Sequence, residues 1–358
     1  MKGIILHGGH GTRLRPLTHT GPKQLLPIAN KPMSRYCLES ITDAGIKEIA
    51  VIIGGVGSNK VRDYYGDGTN FGVKITYIEQ NEPKGIAHAI RLCKNFVNGE
   101  KFLVFLGDNI IQKSISKIVK EFEISKKDEY DATVLLCEVD NPSRFGIAEM
   151  NNSKIIKIIE KPKNPPSNLA VTGIYLLTPK IFDVIDDLKP SWRNELEITD
   201  ALDILLKIND NIGYEIITDY WKDTGTPEDI IHANGEILKK MKSNSEIEFS
   251  GTIIGKEPTV IGEHCDIDLD VTLVGPVIIG NECKIKSGAI IGPNVSIGNS
   301  TDISKCKIEN SIVMNNCIIN SNSKISNSII ANNSEIIEKE NTDEGGIFLL
   351  GEGSKITI

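Results

Sequence analysis

One pattern constrains this chain more than any other. From Ile261 an aliphatic residue returns at every sixth position, through Ile267, Leu273, Ile279, Ile285, Ile291 and Ile297 to Ile303. Four residues after each of the first seven comes a small or β-branched side chain: Cys265, Val271, Val277, Cys283, Ala289, Val295 and Thr301. Gly, Asn, Asp and Ser fill the turns. A β-sandwich would alternate with period two, which is not the dominant signal. Period six is the hexapeptide repeat of a left-handed parallel β-helix, in which each coil stacks its aliphatic side chain on the previous one. After Ile303 the register slips. Ile308, Ile312, Ile318, Ile325 and Ile329 carry the pattern onward less regularly, and residues 354–358 read as a closing strand.

The first 240 residues follow a different period. Short β-branched or aliphatic runs, Gly3 to Leu6, Ile49 to Ile53, Phe102 to Leu106 and Ala132 to Cys137, alternate with helical patterns. That is the signature of an α/β fold, a Rossmann-like mixed and mostly parallel sheet with flanking helices. Met33, Tyr36, Cys37, Ser40, Ile41 and Ala44 keep the spacing of an amphipathic helix that Gly45 ends. Thr226, Pro227, Glu228 and Asp229 read as a helix start that closes this part. A chain of 358 residues exceeds one ordinary domain. The division expected is 1–242 for the α/β domain and 243–358 for the β-helix.

Charge and cysteine content narrow the function. A net charge of -8 argues against a nucleic-acid groove, because phosphate-backbone binding needs a basic surface. No apolar run reaches the roughly 18 residues of a membrane span, and Gly8-Gly9 interrupts the N-terminal run too early for a signal peptide. A cytoplasmic protein without membrane partners is expected. The 7 cysteines are scattered without CxxC or Cys/His metal spacing, so they read as buried reduced thiols.

The opening strand runs into Gly8-Gly9-His10-Gly11-Thr12-Arg13-Leu14-Arg15-Pro16-Leu17. Such a turn can cradle a triphosphate on backbone N–H groups, or can be merely a tight connection. It is neither a Walker loop nor a dinucleotide fingerprint. Ten residues after Arg13, Lys23 opens Pro22-Lys23-Gln24-Leu25-Leu26-Pro27-Ile28. A lone lysine is ordinarily a solvated charge. With Arg13, however, it could neutralise a phosphate under attack and a departing pyrophosphate.

Together these two segments resemble the signature GGxGTRLxPLT and PKQLLPI of the sugar-1-phosphate nucleotidyltransferase family, and the wider pattern resembles its long-form glucose-1-phosphate thymidylyltransferases. Further matches follow in order to about residue 240: Leu106-Gly107-Asp108-Asn109, Glu160-Lys161-Pro162, Val171-Thr172-Gly173, the ELEITD stretch after Pro190-Ser191-Trp192-Arg193, and Trp221-Lys222-Asp223. The resemblance implies Mg²⁺ held by Asp108 and Asp223, with Arg13, Lys23 and Lys161 as the catalytic cations. It implies nucleotide contacts from Leu6, Gly8, Gly9, Gly11, Thr12, Arg13 and Asp108, with Gln80 and Gly85 reading the base. It further implies sugar-phosphate contacts from Asn109, Gly146, Glu160, Lys161, Val171, Thr172, Glu195 and Trp221. Three positions depart from the family. His7 and His10 stand beside the predicted nucleotide where many members carry alanine or serine, and Phe145 stands where short forms often have tyrosine. His10 either adds a hydrogen bond to a phosphate or is simply accommodated.

The reaction so implied joins dTTP and glucose-1-phosphate into dTDP-glucose and pyrophosphate. A uridylyltransferase using UTP is the nearest alternative, since a missing methyl is worth only about 1–3 kcal/mol of discrimination. A bifunctional enzyme with acetyl transfer on the β-helix is another, although His264 is the only histidine after His232. A non-catalytic regulatory subunit is the third, against which Arg13, Lys23, Asp108 and Asp223 stand intact. The β-helix is expected to mediate a homo-oligomer or to bind an effector nucleotide.

Overall fold

The computed structural model describes residues 1–9, 11–125, 130–209, 212–243 and 251–338. His10 and the expected strand over 354–358 lie outside them. By contact the chain forms two compact units: Met1–Gly11, Thr18–Leu25 and Met33–Asp223 make the first, and Thr12–Leu17, Leu26–Pro32 and Thr224–Ile358 the second.

The first unit is built on a nine-stranded mixed sheet. Strand Lys2–Leu6 lies between Phe102–Leu106 and Glu48–Ile53, parallel to both, and Glu48–Ile53 pairs in parallel with Lys74–Glu79. Their ends are level: Leu6 is registered with both Ile52 and Leu106, and Ile53 with Glu79. The long strand Leu169–Leu177 runs antiparallel to Phe102–Leu106 and links it to Ala132–Glu138. These strands read as unbroken apolar runs because both faces are covered. Ile4, Ala50 and Val104 enter one hydrophobic layer, while Ile5, Val51 and Phe105 enter the other. Helix Met33–Asp43 closes the second layer with Cys37, Leu38 and Ile41. The consequence for function is positional. The carboxyl ends of the parallel strands deliver Gly8, Gln80 and Asp108 to one edge of the sheet, where ligands of open α/β sheets bind.

The second unit contains three five-stranded parallel sheets, the strands of a left-handed β-helix. Ile261 pairs with Ile279 and Ile279 with Ile297, one coil apart each time. Asparagines hold the turns: Asn281, Asn299, Asn315 and Asn332 each accept a backbone N–H from the preceding coil. The late coils correct the sequence reading. Val313 stacks on Ile297 and Ile319 on Ile303, so Ile319 is buried, while Ile318 is 41% exposed. The cause is coil length, since Ile297 to Val313 spans two residues fewer than Ile279 to Ile297 and the inward position moves accordingly.

Helix Pro227–Leu238 begins as expected, with Thr226 and Asp229 forming a reciprocal capping box. Its contacts group it with the β-helix rather than with the sheet. One reason is Asn234, fully buried, whose side-chain oxygen accepts the Ser296 hydroxyl at 2.6 Å.

Candidate active site

Asp108 is the pivot of the sheet edge. It follows strand Phe102–Leu106 through Gly107, whose N–H donates to Leu6 O at 2.9 Å. A Cβ on Gly107 would stand 2.8 Å from that oxygen, so only glycine lets the two strand ends approach. The ammonium of Lys23, carried on the 3-10 turn Lys23–Leu25, donates to Asp108 Oδ2. The amide of Asn109 donates to Oδ1 at 3.1 Å. Burial alone would raise the Asp108 carboxyl. The Lys23 charge, its hydrogen bond and the Asn109 amide outweigh that and hold it below the ordinary carboxylate range.

Asn109 then joins three segments. Its Oδ1 accepts the indole N–H of Trp221 at 2.8 Å and the backbone N–H of Gly173 at 3.3 Å. Strand Trp221–Asp223 runs antiparallel to Asn109–Ile111 with Asp223 directly opposite Asn109. The two expected metal carboxylates therefore arise from neighbouring positions of one small sheet. No cluster of three His, Cys, Asp or Glu side chains suited to a metal occurs among the described residues. Two carboxylates completed by substrate phosphates are what Mg²⁺ commonly uses, and the ammonium already seated on Asp108 shows that this edge favours a cation.

A second cluster surrounds Glu160. Arg193 bridges Glu160, Glu195 and Glu197 at 3.2, 3.1 and 3.3 Å. Thr199 donates to Glu160 Oε2 at 3.0 Å, and Lys161 Nζ lies 3.4 Å from Oε1. Burial, reinforced by Glu160, raises the Glu197 carboxyl, although the Ser191 hydroxyl and Arg193 oppose it. Gly146 is required here because a Cβ would fall 2.5 Å from Thr199 Cγ2. The Phe145 ring meets Trp221 edge-on at 5.6 Å. The sequence motif points only to Glu195 in this stretch; Arg193, Glu197 and Thr199 join it through their contacts with Glu160 and one another, and the one hint in the sequence is a lone arginine ahead of two glutamates.

Gln80 forms the third group. Its side-chain nitrogen bonds Gly85 O at 3.2 Å and His88 Nδ1 at 3.0 Å. Gly8 lies against it, since a Cβ there would be 3.3 Å from Gln80 Oε1, and Gln24 donates to Gly8 O at 2.9 Å. Gly9 and Gly11 both adopt positive φ, and Thr18 donates to Gly11 O at 2.8 Å. Thr12 and Arg13 are exposed on the 3-10 turn Thr12–Leu14, which groups with the second unit.

Four residues at or beside the expected site look different in three dimensions. Leu6 and Val171 put their side chains into a hydrophobic layer. The Thr172 hydroxyl is fully buried without a partner among the described residues. His7 is 1% exposed, and neither ring nitrogen has a partner among the described residues. Its ring packs edge-on against Tyr65 at 5.9 Å instead of lining the strand end, because odd positions of this strand face that layer. Burial lowers its pKa to about 3 against the opposing charge of Asp108, so the imidazole is neutral.

Comparison with known proteins identifies the family and the fold. The nucleotidyl transferase family matches residues 2–240, and the GMPPB C-terminal domain family matches residues 273–357. The low-salt glycan biosynthesis nucleotidyltransferase Agl11 of Haloferax volcanii is 41% identical, covering 100% of both chains. A glucose-1-phosphate thymidylyltransferase of Streptomyces antibioticus is 37% identical over 100% of this chain and 99% of its own. A solved UDP-glucose pyrophosphorylase complexed with UDP-glucose superposes with a TM-score of 0.60 at 28% identity, covering 67% of this chain and 99% of that one.

Proposed function

The chain belongs to the nucleotidyl transferase family, and from that premise we propose that it transfers a deoxythymidylyl group from dTTP to glucose-1-phosphate. The observation that carries the reading is the Lys23–Asp108–Asn109 constellation with Asp223 in register beside it. Residues 1–242 would be the catalytic domain and 243–358 the β-helix domain, a division supported by the family match over 2–240.

An oxygen of the sugar phosphate attacks the α-phosphorus in line, one P–O bond forms, and the bond to pyrophosphate breaks. The attacking oxygen is already ionised near neutral pH, so no protein base is required. The work is to bring two polyanions together and to disperse charge. Lys23 and Arg13 would neutralise the nucleotide phosphates and Lys161 the sugar phosphate. Glu160, held in place by Arg193 and Thr199, would accept sugar hydroxyl protons, and Gln80 with Gly85 would read the base edge. Mg²⁺ on Asp108 and Asp223, when bound, would supply further charge neutralisation at the α-phosphate.

A uridylyl donor is the second reading, favoured by the fold shared with the UDP-glucose pyrophosphorylase. The deciding assay is pyrophosphate release from a panel of nucleoside triphosphates against glucose-, galactose-, glucosamine- and N-acetylglucosamine-1-phosphate. The proposal expects dTTP with glucose-1-phosphate to give the highest kcat/KM. Full activity in an Asp108→Asn variant would remove its basis.

A further inference from the structure

The segment that follows Lys23 does not stay with the sheet. Lys23–Leu25 belongs to the first unit, whereas Leu26–Pro32 belongs to the second. In that segment Pro27–Ile28 pairs antiparallel with Lys31–Pro32, leaving Ala29 and Asn30 as a two-residue turn. Both turn residues have positive φ, 47° and 59°. Hairpins of this kind prefer Asn-Gly or Gly-Gly, because a residue with a Cβ disfavours the left-handed region and asparagine tolerates it better than alanine. Ala29 is thus the strained member.

What holds it there comes from the helix and the β-helix of the same unit. The N–H of Ala29 donates to Asn234 Oδ1 at 2.8 Å, and the same oxygen accepts the Ser296 hydroxyl at 2.6 Å. Asn30 Nδ2 donates to Ile297 O at 2.6 Å. Asn234 is fully buried, and its own amide reaches Asn294 O at 3.5 Å. One buried amide therefore ties a strained turn to a β-helix coil, and the segment Leu26–Ile28 joins that turn directly to the end of the Lys23–Leu25 turn.

We propose that Asn234 is a positioning residue for the transfer reaction, clamping the Ala29–Asn30 turn so that the downstream end of the Lys23 turn is fixed. The inference rests on the reading that Lys23 neutralises phosphate charge. It assigns the β-helix a part in turnover through this hairpin.

The test uses the full chain and steady-state pyrophosphate release, with thermal unfolding measured alongside. Asn234→Ala is expected to lower kcat roughly tenfold, the scale of a small misplacement near the chemistry. KM for the sugar phosphate should move far less, because the hairpin turn is anchored by its bonds to Asn234 and Ile297 and continues directly into the Lys23 turn. Ala29→Gly adopts positive φ without strain. In the Asn234→Ala background it should restore most of kcat, and alone it should leave kcat unchanged. A lower Tm with kcat within about twofold of wild type would mean a purely structural bond and overturn the proposal. So would failure of Ala29→Gly to rescue. Should Asn234→Ala not fold, Ser296→Ala carries the same test: a fall in kcat supports the proposal, and an unchanged kcat overturns it. Lys23→Ala separates the two claims. Loss of turnover there but not in Asn234→Ala removes only this inference, whereas retention in Lys23→Ala removes the underlying reading and the inference with it.

Discussion

The indole N–H of Trp221 donates to Asn109 Oδ1 at 2.8 Å, so the side chain that orients Asp108 is itself held by the strand that carries Asp223. Trp221→Phe keeps a ring against Phe145 and deletes the donor. Asn109 is buried, and Gly173 N–H at 3.3 Å would be the remaining donor of the pair on that oxygen. The expected loss is about 1 kcal/mol in urea unfolding, with a clear drop in kcat. Unchanged kcat would show that Asn109 holds its orientation without the indole.

Lys23→Met tests the charge pairing through pH. The Asp108 carboxyl lies below its ordinary value in the folded protein. Its contribution to stability is therefore fully present above the unfolded carboxylate pKa of about 3.9 and is lost as pH falls through the depressed folded value. Removing the ammonium leaves a buried carboxylate unpaired by Lys23, and the expected cost at pH 7 is about 3 kcal/mol. Urea unfolding across pH 3 to 8 should show the gap between variant and wild type closing towards the acid end. A gap independent of pH would sink the pairing argument.

Gly85→Ala is expected to fail for two reasons at once. Gly85 has φ of 100°, and an added Cβ would lie 2.5 Å from Leu196 O, the acceptor of the Ala87 N–H. Strain and displacement together should cost about 2–3 kcal/mol. Because Gln80 bonds the Gly85 carbonyl, KM for the nucleotide should rise more than KM for the sugar phosphate. Equal rises would separate Gly85 from base reading.

Thiol chemistry should single out Cys265. It is the one half-buried cysteine, and the others are buried. The neighbouring Cys283 thiol is the main cause that lowers its pKa to about 6, while Cys283 is pushed up. Iodoacetamide at pH 7 should alkylate Cys265 first, with the remaining thiols following on unfolding. Peptide mass spectrometry that finds another cysteine modified as fast would contradict this.

Much of the architecture was legible because it is written in local periods. The six-residue spacing from Ile261 to Ile303 leaves few alternatives to stacked coils, and the apolar runs around Ile5, Val51 and Phe105 mark strands covered on both faces. Short motifs located Lys23, Asp108, Glu160 and Asp223. They are visible because glycines and charged residues cluster at strand ends, where backbone geometry restricts the choice of residue.

What the linear pattern left undetermined depends on who meets whom. The chain alone determined two periodicities, a glycine-rich turn and an ordered series of cations and acids. Only the tertiary structure decided that Arg193 serves three glutamates, that His7 turns inward onto Tyr65, that Ile319 rather than Ile318 fills the late coil, and that Leu26–Pro32 leaves the sheet for Asn234. The reason is physical. Periodicity reports which face of an element is apolar, whereas the partners of individual side chains are chosen by packing and by the need to satisfy buried polar groups, which periodicity does not encode.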